Sequence, residues 1–171
     1  MIDLARVDPR SLDRLAAVVD DLAANVGLDP DRVLVVGAEC RDILHAAFGH
    51  AFALTATMDT DLGIAVSDWA VTERIDKRYR PVGSNGIRYW VSGVSVDIMP
   101  FGAVEQPSGI SRPARRVEDL VVFGFEDVYR RALKLTLPGG ASARLPRPAG
   151  YAALKMRSWI DRSVHGHDKD A

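Results

Sequence analysis

Two short apolar segments constrain the fold of this chain more than any other feature of its sequence. Residues 33–36 read Val-Leu-Val-Val and lead directly into Gly37, and residues 62–66 read Leu-Gly-Ile-Ala-Val. A strand without polar residues must be covered on both faces, which happens when helices pack above and below a sheet. The two segments therefore predict an α+β (α/β) fold, with a small mixed sheet flanked by helices and a C-terminal helical segment.

Helix signals surround these strands. Asp8 and Pro9 form a good helix start, because Asp accepts free amide hydrogens of the first turn and Pro has none to lose. Apolar residues then recur at helical spacing until Gly27, which ends the helix. Further helices are predicted over residues 38–48, from a cap at Ser67-Asp68 to residue 75, around 126–131, and over 149–162 with Leu154 and Trp159 toward the core.

Turn residues separate the β-rich runs of the second half. Two hairpins are predicted, residues 87–91 with 94–99 and residues 133–137 with 141–145. Ser92-Gly93 gives the first of them the spacing of a two-residue turn, which needs a glycine. Residues 102–117 contain prolines and glycines without periodicity, so we expect a surface loop there.

The 171 residues, 47% hydrophobic and 26% charged, suffice for one core and one domain. Charge divides the chain: residues 1–111 carry 10 Lys/Arg and 16 Asp/Glu, whereas residues 112–171 carry 12 and 7. An acidic first part beside a basic second part suits a carboxylate cluster that binds cations, faced by a surface that binds phosphates. An uneven scatter of surface charge explains the same numbers equally well.

The sequence shows no targeting or membrane segment. No apolar run approaches the roughly 20 residues that span a bilayer, and the N-terminus lacks the regions of a signal peptide. The single cysteine, Cys40, excludes an internal disulfide and a zinc site of several thiolates, and we expect it to be buried. We therefore predict a cytoplasmic protein without membrane contact, and the charged finish leads us to expect that the chain continues beyond Ala171.

The most informative polar residues are Asp59 and Asp61. Residues two apart on a strand share a face, so both carboxylates point the same way at the entrance of the second apolar strand. Neighbouring carboxylates repel each other unless a cation neutralises them. The Asp-x-Asp pattern is common by chance in a chain with 18 aspartates, and only this context distinguishes the pair.

Asp97 adds a third carboxylate, because it lies inside the strongly apolar strand predicted over residues 94–99. An ionised Asp there is costly unless it is paired or bound to metal. Three carboxylates on adjacent strands can hold two Mg²⁺ ions, and oxygen ligands without sulfur favour Mg²⁺ or Mn²⁺ over zinc. An ion-paired structural role for Asp97 is the alternative.

A phosphate site is predicted where the first apolar strand turns into a helix. Gly37 and Ala38 would let the backbone approach a phosphate at the free amide hydrogens of the helix, and Arg41 could reach a triphosphate from its first turn. The alternatives are a plain strand-to-helix turn and a surface pair of Arg41 with Asp42. His165 and His167 lack a third ligand, and we expect no metal role for them.

These residues, in this order, resemble the nucleotidyltransferase superfamily, whose fold is that of DNA polymerase beta. The resemblance rests on Gly37-Ala38, on Asp59-x-Asp61 in a strand, and on residues 96–102, which read Val-Asp-Ile-Met-Pro-Phe-Gly. Residues 124–127, the helix with Lys155 and Trp159, and Lys169-Asp170-Ala171 look like the AbiEii/AbiGii family of nucleotidyltransferase toxins.

The resemblance implies transfer of a nucleoside monophosphate from an NTP to an acceptor, with Mg²⁺ or Mn²⁺. It implies that Asp59, Asp61 and Asp97 bind metal, with Asp97 as ligand or general base, and that Lys155 meets the triphosphate. Residues 1–111 would then be the catalytic core with its N-terminal helix, and residues 112–171 a basic hairpin and helix of the same domain. It further implies an antitoxin partner.

The sequence is compatible with three functions. The first is an enzyme acting on RNA or tRNA, with phosphate contacts from basic residues of the second part, namely Arg112, Arg115, Arg116, Arg130 and Arg131. The second is an enzyme of the same fold that modifies a small molecule or a protein hydroxyl. The third is a nucleotide- or partner-binding module without transfer chemistry.

Overall fold

The computed structural model describes residues 4–50 and 59–164, which form a mixed sheet with helices on both faces. The helices are α1 (Pro9–Val26), α2 (Gly37–Ala47), α3 (Ala70–Arg78), α4 (Phe125–Arg130) and α5 (Pro148–Val164). The strands are β1 (Val33–Val35), β2 (Asp59–Val66), β3 (Arg80–Pro81), β4 (Arg88–Val91), β5 (Val94–Gly102), β6 (Ile110–Ser111), β7 (Leu120–Val121), β8 (Leu133–Thr136) and β9 (Ser142–Leu145). The predicted α+β class is confirmed.

Seven strands form the main sheet in the order β3-β4-β5-β2-β1-β9-β8. β2 runs parallel to β5 and β1 runs parallel to β9, while the other neighbours are antiparallel. β8 and β9 belong to the basic second part, so both parts of the chain contribute strands to this sheet. β6 and β7 pair separately.

Alternation along β2 divides the interior into two cores. Leu62 and Ile64 are fully buried in the larger core, which also contains the apolar sides of α1, α2 and α3. We call this side of the sheet the closed face. Asp61 and Gly63 point to the other side, where α4 and part of α5 pack on Phe101 of β5. We call this side the open face.

Local signals in the sequence are confirmed where they predict caps and turns. The Asp8 carboxylate accepts the Arg10 amide hydrogen at 3.0 Å, and Gly27 ends α1 with φ of 65°. Ser92 and Gly93 both have positive φ, at 47° and 77°, as a tight two-residue hairpin turn requires. Cys40 is fully buried, as expected.

The segment 102–117 is not only a surface loop. Ile110 pairs with Val121, and Ser111, which is fully buried, pairs with Leu120. A ladder of two residue pairs is too short to produce an alternating pattern, so no local pattern predicts it.

The prediction that Trp159 points toward the core is wrong, since 64% of its surface is exposed. Leu154 does pack against the smaller core. The two positions are five residues apart, which corresponds to a net rotation of about 140° around α5, so the two side chains cannot share one narrow buried face. His165, His167 and residues 169–171 lie outside the described residues.

Among the helices in the described part of the chain, none has the length and apolarity needed to cross a membrane.

Candidate active site

The fold brings the three predicted carboxylates together on the open face. β2 and β5 are in a parallel register that places Asp61 opposite Asp97, and Asp59 lies two residues before Asp61 on the same strand. Their side chains therefore share one side of the sheet, opposite to the buried Thr60. Asp59 is 44% exposed and Asp97 only 14%, so the cluster extends from solvent into the protein.

Arg88 supplies a cation inside this cluster. From its position opposite Asp97 on β4, it donates Nε to Oδ1 at 2.7 Å and Nη2 to Oδ2 at 2.9 Å. Its Nη1 lies 3.5 Å from Asp59 Oδ2, and Asn85 Nδ2 also donates to Asp97 Oδ1 at 3.3 Å. These hydrogen bonds to Asp97 raise the pKa of Arg88 above its ordinary value. The ion-paired alternative for Asp97 is thus present in the structure.

Arg88 was not predicted as a site residue, although the hairpin register locates it. A two-residue hairpin turn pairs Val91 with Val94, and counting back from that pair places Arg88 opposite Asp97. Once Asp97 was recognised as a buried carboxylate, its cross-strand neighbour was the natural candidate for a partner.

Asp61 lacks such compensation. Burial raises its pKa to about 6, the charges of Asp97, Asp59 and Glu39 add to the effect, and Arg88 opposes it. No hydrogen bond from a described residue stabilises the Asp61 carboxylate. The cluster therefore has negative charge left over at this position, which is the condition that a bound cation would relieve.

Gly37 has no Cβ, and this leaves room for the Asp61 carboxylate beside the start of α2. A Cβ at residue 37 would lie 1.9 Å from Asp61 Oδ2, and the φ of +64° is one that favours glycine. Val36 precedes the helix without a side-chain cap, so the first amide hydrogens of α2 are not satisfied by a capping side chain. The absence of a side chain at residue 37 is thus required for the observed position of the Asp61 carboxylate, and the predicted phosphate contact at Gly37 stays a prediction.

A cleft of about 850 Å³ opens beside Asp61 and unites five of the predicted residues. These are Gly37, Ala38, Arg41, Asp61 and Lys155. Asp59 and Asp97 are not part of the lining and flank Asp61 instead. Much of the remaining wall is formed by Arg116, which was expected to contact RNA, and by Arg157, Phe123, Phe125 and Tyr151, which were not predicted as site residues.

The cations of the cleft differ in how they are paired. Arg41 binds Asp42 at 2.6 Å, as the surface-pair alternative requires, yet its Nη2 is buried without a partner. Arg116 donates Nη1 to the carbonyl of Asn85 at 2.7 Å, and its Nε is likewise unpartnered. Lys155 makes no ion pair within the described ranges. Guanidinium nitrogens without partners and an unpaired lysine suit an anionic ligand.

Glu39 is a fourth carboxylate that sequence reasoning missed. It is 3% exposed in the first turn of α2, accepts a hydrogen bond from Ser11 Oγ at 3.0 Å and lies 3.4 Å from Arg14. Its Oε2 is buried without a partner. Nothing in the local sequence marked it, because the pairing with α1 joins residues 25 to 28 positions apart.

The donor set fits a divalent cation at Asp59 and Asp61 but not a ready-made site of three ligands. Within residues 4–50 and 59–164, no three Asp, Glu, His or Cys side chains converge as a metal site. Arg88 and Asn85 take up the oxygens of Asp97, whereas Asp61 has oxygens to offer and excess negative charge around it. Carboxylate oxygens are the ligands that Mg²⁺ and Mn²⁺ prefer.

The arginines expected to contact RNA are mostly neutralised by near neighbours. Arg112 pairs with Asp119, Arg115 with Asp76, Arg116 with Glu118 and Arg130 with Glu126. The formal excess of positive charge in residues 112–171 therefore does not form one bare basic surface.

Comparison of the chain with models of protein families, with curated proteins and with solved structures finds no match.

Proposed function

We propose that this protein is a metal-dependent nucleotidyltransferase that moves a nucleoside monophosphate from an NTP to a hydroxyl acceptor. One observation carries the proposal: Asp61 lies opposite Asp97 at the wall of a cleft that also holds the start of α2, Arg41 and Lys155. Carboxylates beside cations and free helix amides are what transfer of a phosphoryl group between oxygens requires. The resemblance noted in the sequence points the same way.

In this proposal each side chain acts on the triphosphate or on its counter-ion. Asp59 and Asp61 would hold Mg²⁺ or Mn²⁺, which when bound supplies charge neutralisation and alignment for an in-line displacement. Lys155 and the free nitrogen of Arg41 bind phosphate oxygens, and the amide hydrogens at Gly37 and Ala38 bind others. The acceptor oxygen attacks the α-phosphorus, and the bond from that phosphorus to the oxygen bridging to the β-phosphate breaks. Pyrophosphate leaves with the bridging oxygen, and the hydroxyl proton passes to water.

We propose RNA, and tRNA in particular, as the acceptor, and a cytoplasmic toxin with an antitoxin partner as the biological setting. Both rest on the resemblance. The local pairing of Arg112, Arg115 and Arg130 weakens the support from charge and favours, as a second acceptor class, a small molecule or a protein hydroxyl.

The test incubates the protein with Mg²⁺, each labelled NTP in turn and bulk tRNA, or with small-molecule and protein acceptors. Asp61→Asn serves as the inactive variant, and Asp13→Asn, on the exposed side of α1, is the matched control. Label on tRNA with the wild type and Asp13→Asn, but not with Asp61→Asn, is the expected result. Transfer that survives Asp61→Asn would contradict the proposed site.

A nucleotide-binding module without transfer chemistry is the second candidate, favoured by the hold of Arg88 on both oxygens of Asp97. An Asp bound in this way is poorly placed to accept a proton from an acceptor hydroxyl. Tight binding of a non-hydrolysable NTP, with no transfer to any acceptor tested, would favour this candidate.

A further inference from the structure

The carboxylate cluster contains a positive charge of its own. Asp59, Asp61 and Asp97 carry three negative charges when ionised, and Arg88 among them carries one positive charge. The remaining two negative charges equal those that one divalent ion neutralises. Two divalent ions in the same site would leave it with a net positive charge before any nucleotide enters.

The geometry of Arg88 shows which carboxylates it pairs with. Its guanidinium binds Asp97 through two hydrogen bonds of 2.7 and 2.9 Å, a bidentate geometry that is stronger than a single neutral hydrogen bond, and its third nitrogen lies 3.5 Å from Asp59. No described residue makes an equivalent bond to Asp61. The guanidinium thus occupies the Asp97 side of the cluster and leaves the Asp61 side, which faces the cleft, to an added cation.

The position of Arg88 is fixed by the sheet rather than by a flexible loop. It lies on β4 in register with Asp97, and its backbone amide donates to Asn85 Oδ1 at 3.1 Å. Asn85, in the connection between β3 and β4, also donates to Asp97, so it orients that carboxylate together with Arg88. Displacing Arg88 would leave Asp97 with an uncompensated charge at a side chain only 14% exposed, which is costly.

We propose that Arg88 is a built-in cation of this site and that the site consequently binds a single divalent ion, at Asp59 and Asp61, with Asp97 bound to Arg88 instead of to a second ion. The inference rests on the proposed nucleotidyl transfer, because it concerns the ion that accompanies the NTP. Arg88 is a positioning residue here, acting on the carboxylates and not on the substrate.

The experiment counts bound Mn²⁺ per chain by electron paramagnetic resonance, in the presence of a saturating NTP with a non-hydrolysable bond between its α- and β-phosphates. It compares the wild type with Arg88→Met, which removes the charge at similar length, and with Arg88→Lys, which keeps the charge. Arg130→Met, which breaks an exposed pair on α4, is the control for loss of an arginine elsewhere. NTP binding is measured separately by calorimetry on each protein.

One Mn²⁺ in the wild type, Arg88→Lys and Arg130→Met, and two in Arg88→Met, is the expected result. Two ions in the wild type, or one ion in Arg88→Met, with NTP binding intact, would overturn the inference while the proposed function stands. Absence of NTP binding at every Mn²⁺ concentration would overturn both. If Arg88→Met fails to fold, the counts for the wild type and Arg88→Lys decide, since two ions in either contradict a built-in cation.

Discussion

The two faces of the main sheet share the same strands but differ in how completely helices and apolar side chains cover them. On the closed face, α1 covers the strands with seven buried residues. The core there is one cluster that joins α1, which contributes Leu15, to strands as far along the chain as β9, which contributes Leu145. On the open face, α4 has only six residues and the smaller core stops short of Asp61. The carboxylates and the cleft are found at the strand end beyond this core, where α5 forms one wall of the cleft.

Along a single strand, residues of the apolar core therefore alternate with residues of the candidate site. In β2, Leu62 and Ile64 contribute to the closed face, whereas Asp61 between Thr60 and Leu62 contributes to the site. Burying apolar side chains supplies most of the free energy of folding, and burying uncompensated carboxylates opposes it. Substitutions on the closed face should therefore change mainly the free energy of unfolding. Substitutions that remove a carboxylate near Asp61 should raise the free energy of unfolding and weaken ligand binding.

The largest effect is expected for Leu22→Ala on α1, whose side chain is fully buried in the closed face. The cavity should lower the free energy of unfolding by about 2–5 kcal/mol. Met156→Ala on the exposed side of α5, where Met156 is 66% exposed, should stay within roughly 0.5 kcal/mol of the wild type. Urea unfolding followed by circular dichroism measures both, and equal losses would contradict the division between faces.

Gly37→Ala is expected to affect both stability and the site. A Cβ there would meet the Asp61 side chain, and alanine would be strained in the left-handed backbone that Gly37 adopts at φ of +64°. Together these effects should lower the free energy of unfolding by roughly 2–4 kcal/mol. Gly83→Ala is the matched control, because Gly83 also has positive φ but nothing within 4 Å of its Cβ position. Urea unfolding and NTP calorimetry test this. A loss of binding equal in the two variants would show that Asp61 is not displaced.

Much of this architecture followed from patterns that a chain displays locally. The apolar runs at 33–36 and 62–66, the cap at Asp8 and the turn at Ser92-Gly93 each depend on residues close in sequence, and each predicted its element. The proximity of Asp61 to Asp97 was also foreseen, because carboxylates on adjacent buried strands can meet at one end of a sheet.

The parts that escaped prediction depend on contacts between distant segments. Glu39 is buried where it accepts a hydrogen bond from Ser11 of α1. Arg116 was expected to contact RNA, but its place in the cleft was not predicted and depends on the hydrogen bond from its guanidinium to the Asn85 carbonyl. Trp159 was misplaced because an amphipathic pattern was too weak to fix the rotation of α5. Arg88 is intermediate: hairpin register could have located it, but only after Asp97 had been taken as a residue in need of a partner.

Asp61→Asn should stabilise the metal-free protein, in contrast to substitutions on the closed face. Because burial raises the pKa of Asp61 to about 6 from an ordinary value of 3.8, the folded state binds its proton more tightly than the unfolded state. The stability that protonated Asp61 contributes to the fold is therefore fully present below about pH 4 and is lost as the pH rises through 6. At pH 7 the variant should gain on the order of 2–3 kcal/mol.

Thermal unfolding without divalent ions, at pH values from about 4 to 8, measures this gain. The difference between variant and wild type should be small at pH 4 and grow toward pH 7, and Mg²⁺ with NTP should raise the melting temperature of the wild type only. Asp13→Asn is the control for an exposed carboxylate. A variant less stable than the wild type at pH 7 would show that Asp61 is compensated in the folded protein.

The smallest effect, about 1 kcal/mol, is expected for Tyr79→Phe, which removes a hydroxyl that donates to Asp21 at 2.5 Å beside the closed face. Burial tends to raise the pKa of Asp21, but hydrogen bonds from Ser92, Tyr79 and Asn25 outweigh it and lower the pKa. A lowered pKa stabilises the protein above the ordinary value, and that contribution is lost as the pH falls through the folded pKa.

The loss caused by Tyr79→Phe should therefore be full at pH 7 and shrink in acid, once Asp21 is protonated in both states. Tyr129→Phe on the open face is the matched control, because its hydroxyl donates to the backbone carbonyl of Asp31 at 3.0 Å, a group that does not titrate. Urea unfolding of both variants at neutral and acidic pH distinguishes them. If both losses shrink equally in acid, the charge of Asp21 is not what the Tyr79 hydroxyl stabilises, and the lowered pKa of Asp21 is due to its other donors, Ser92 and Asn25.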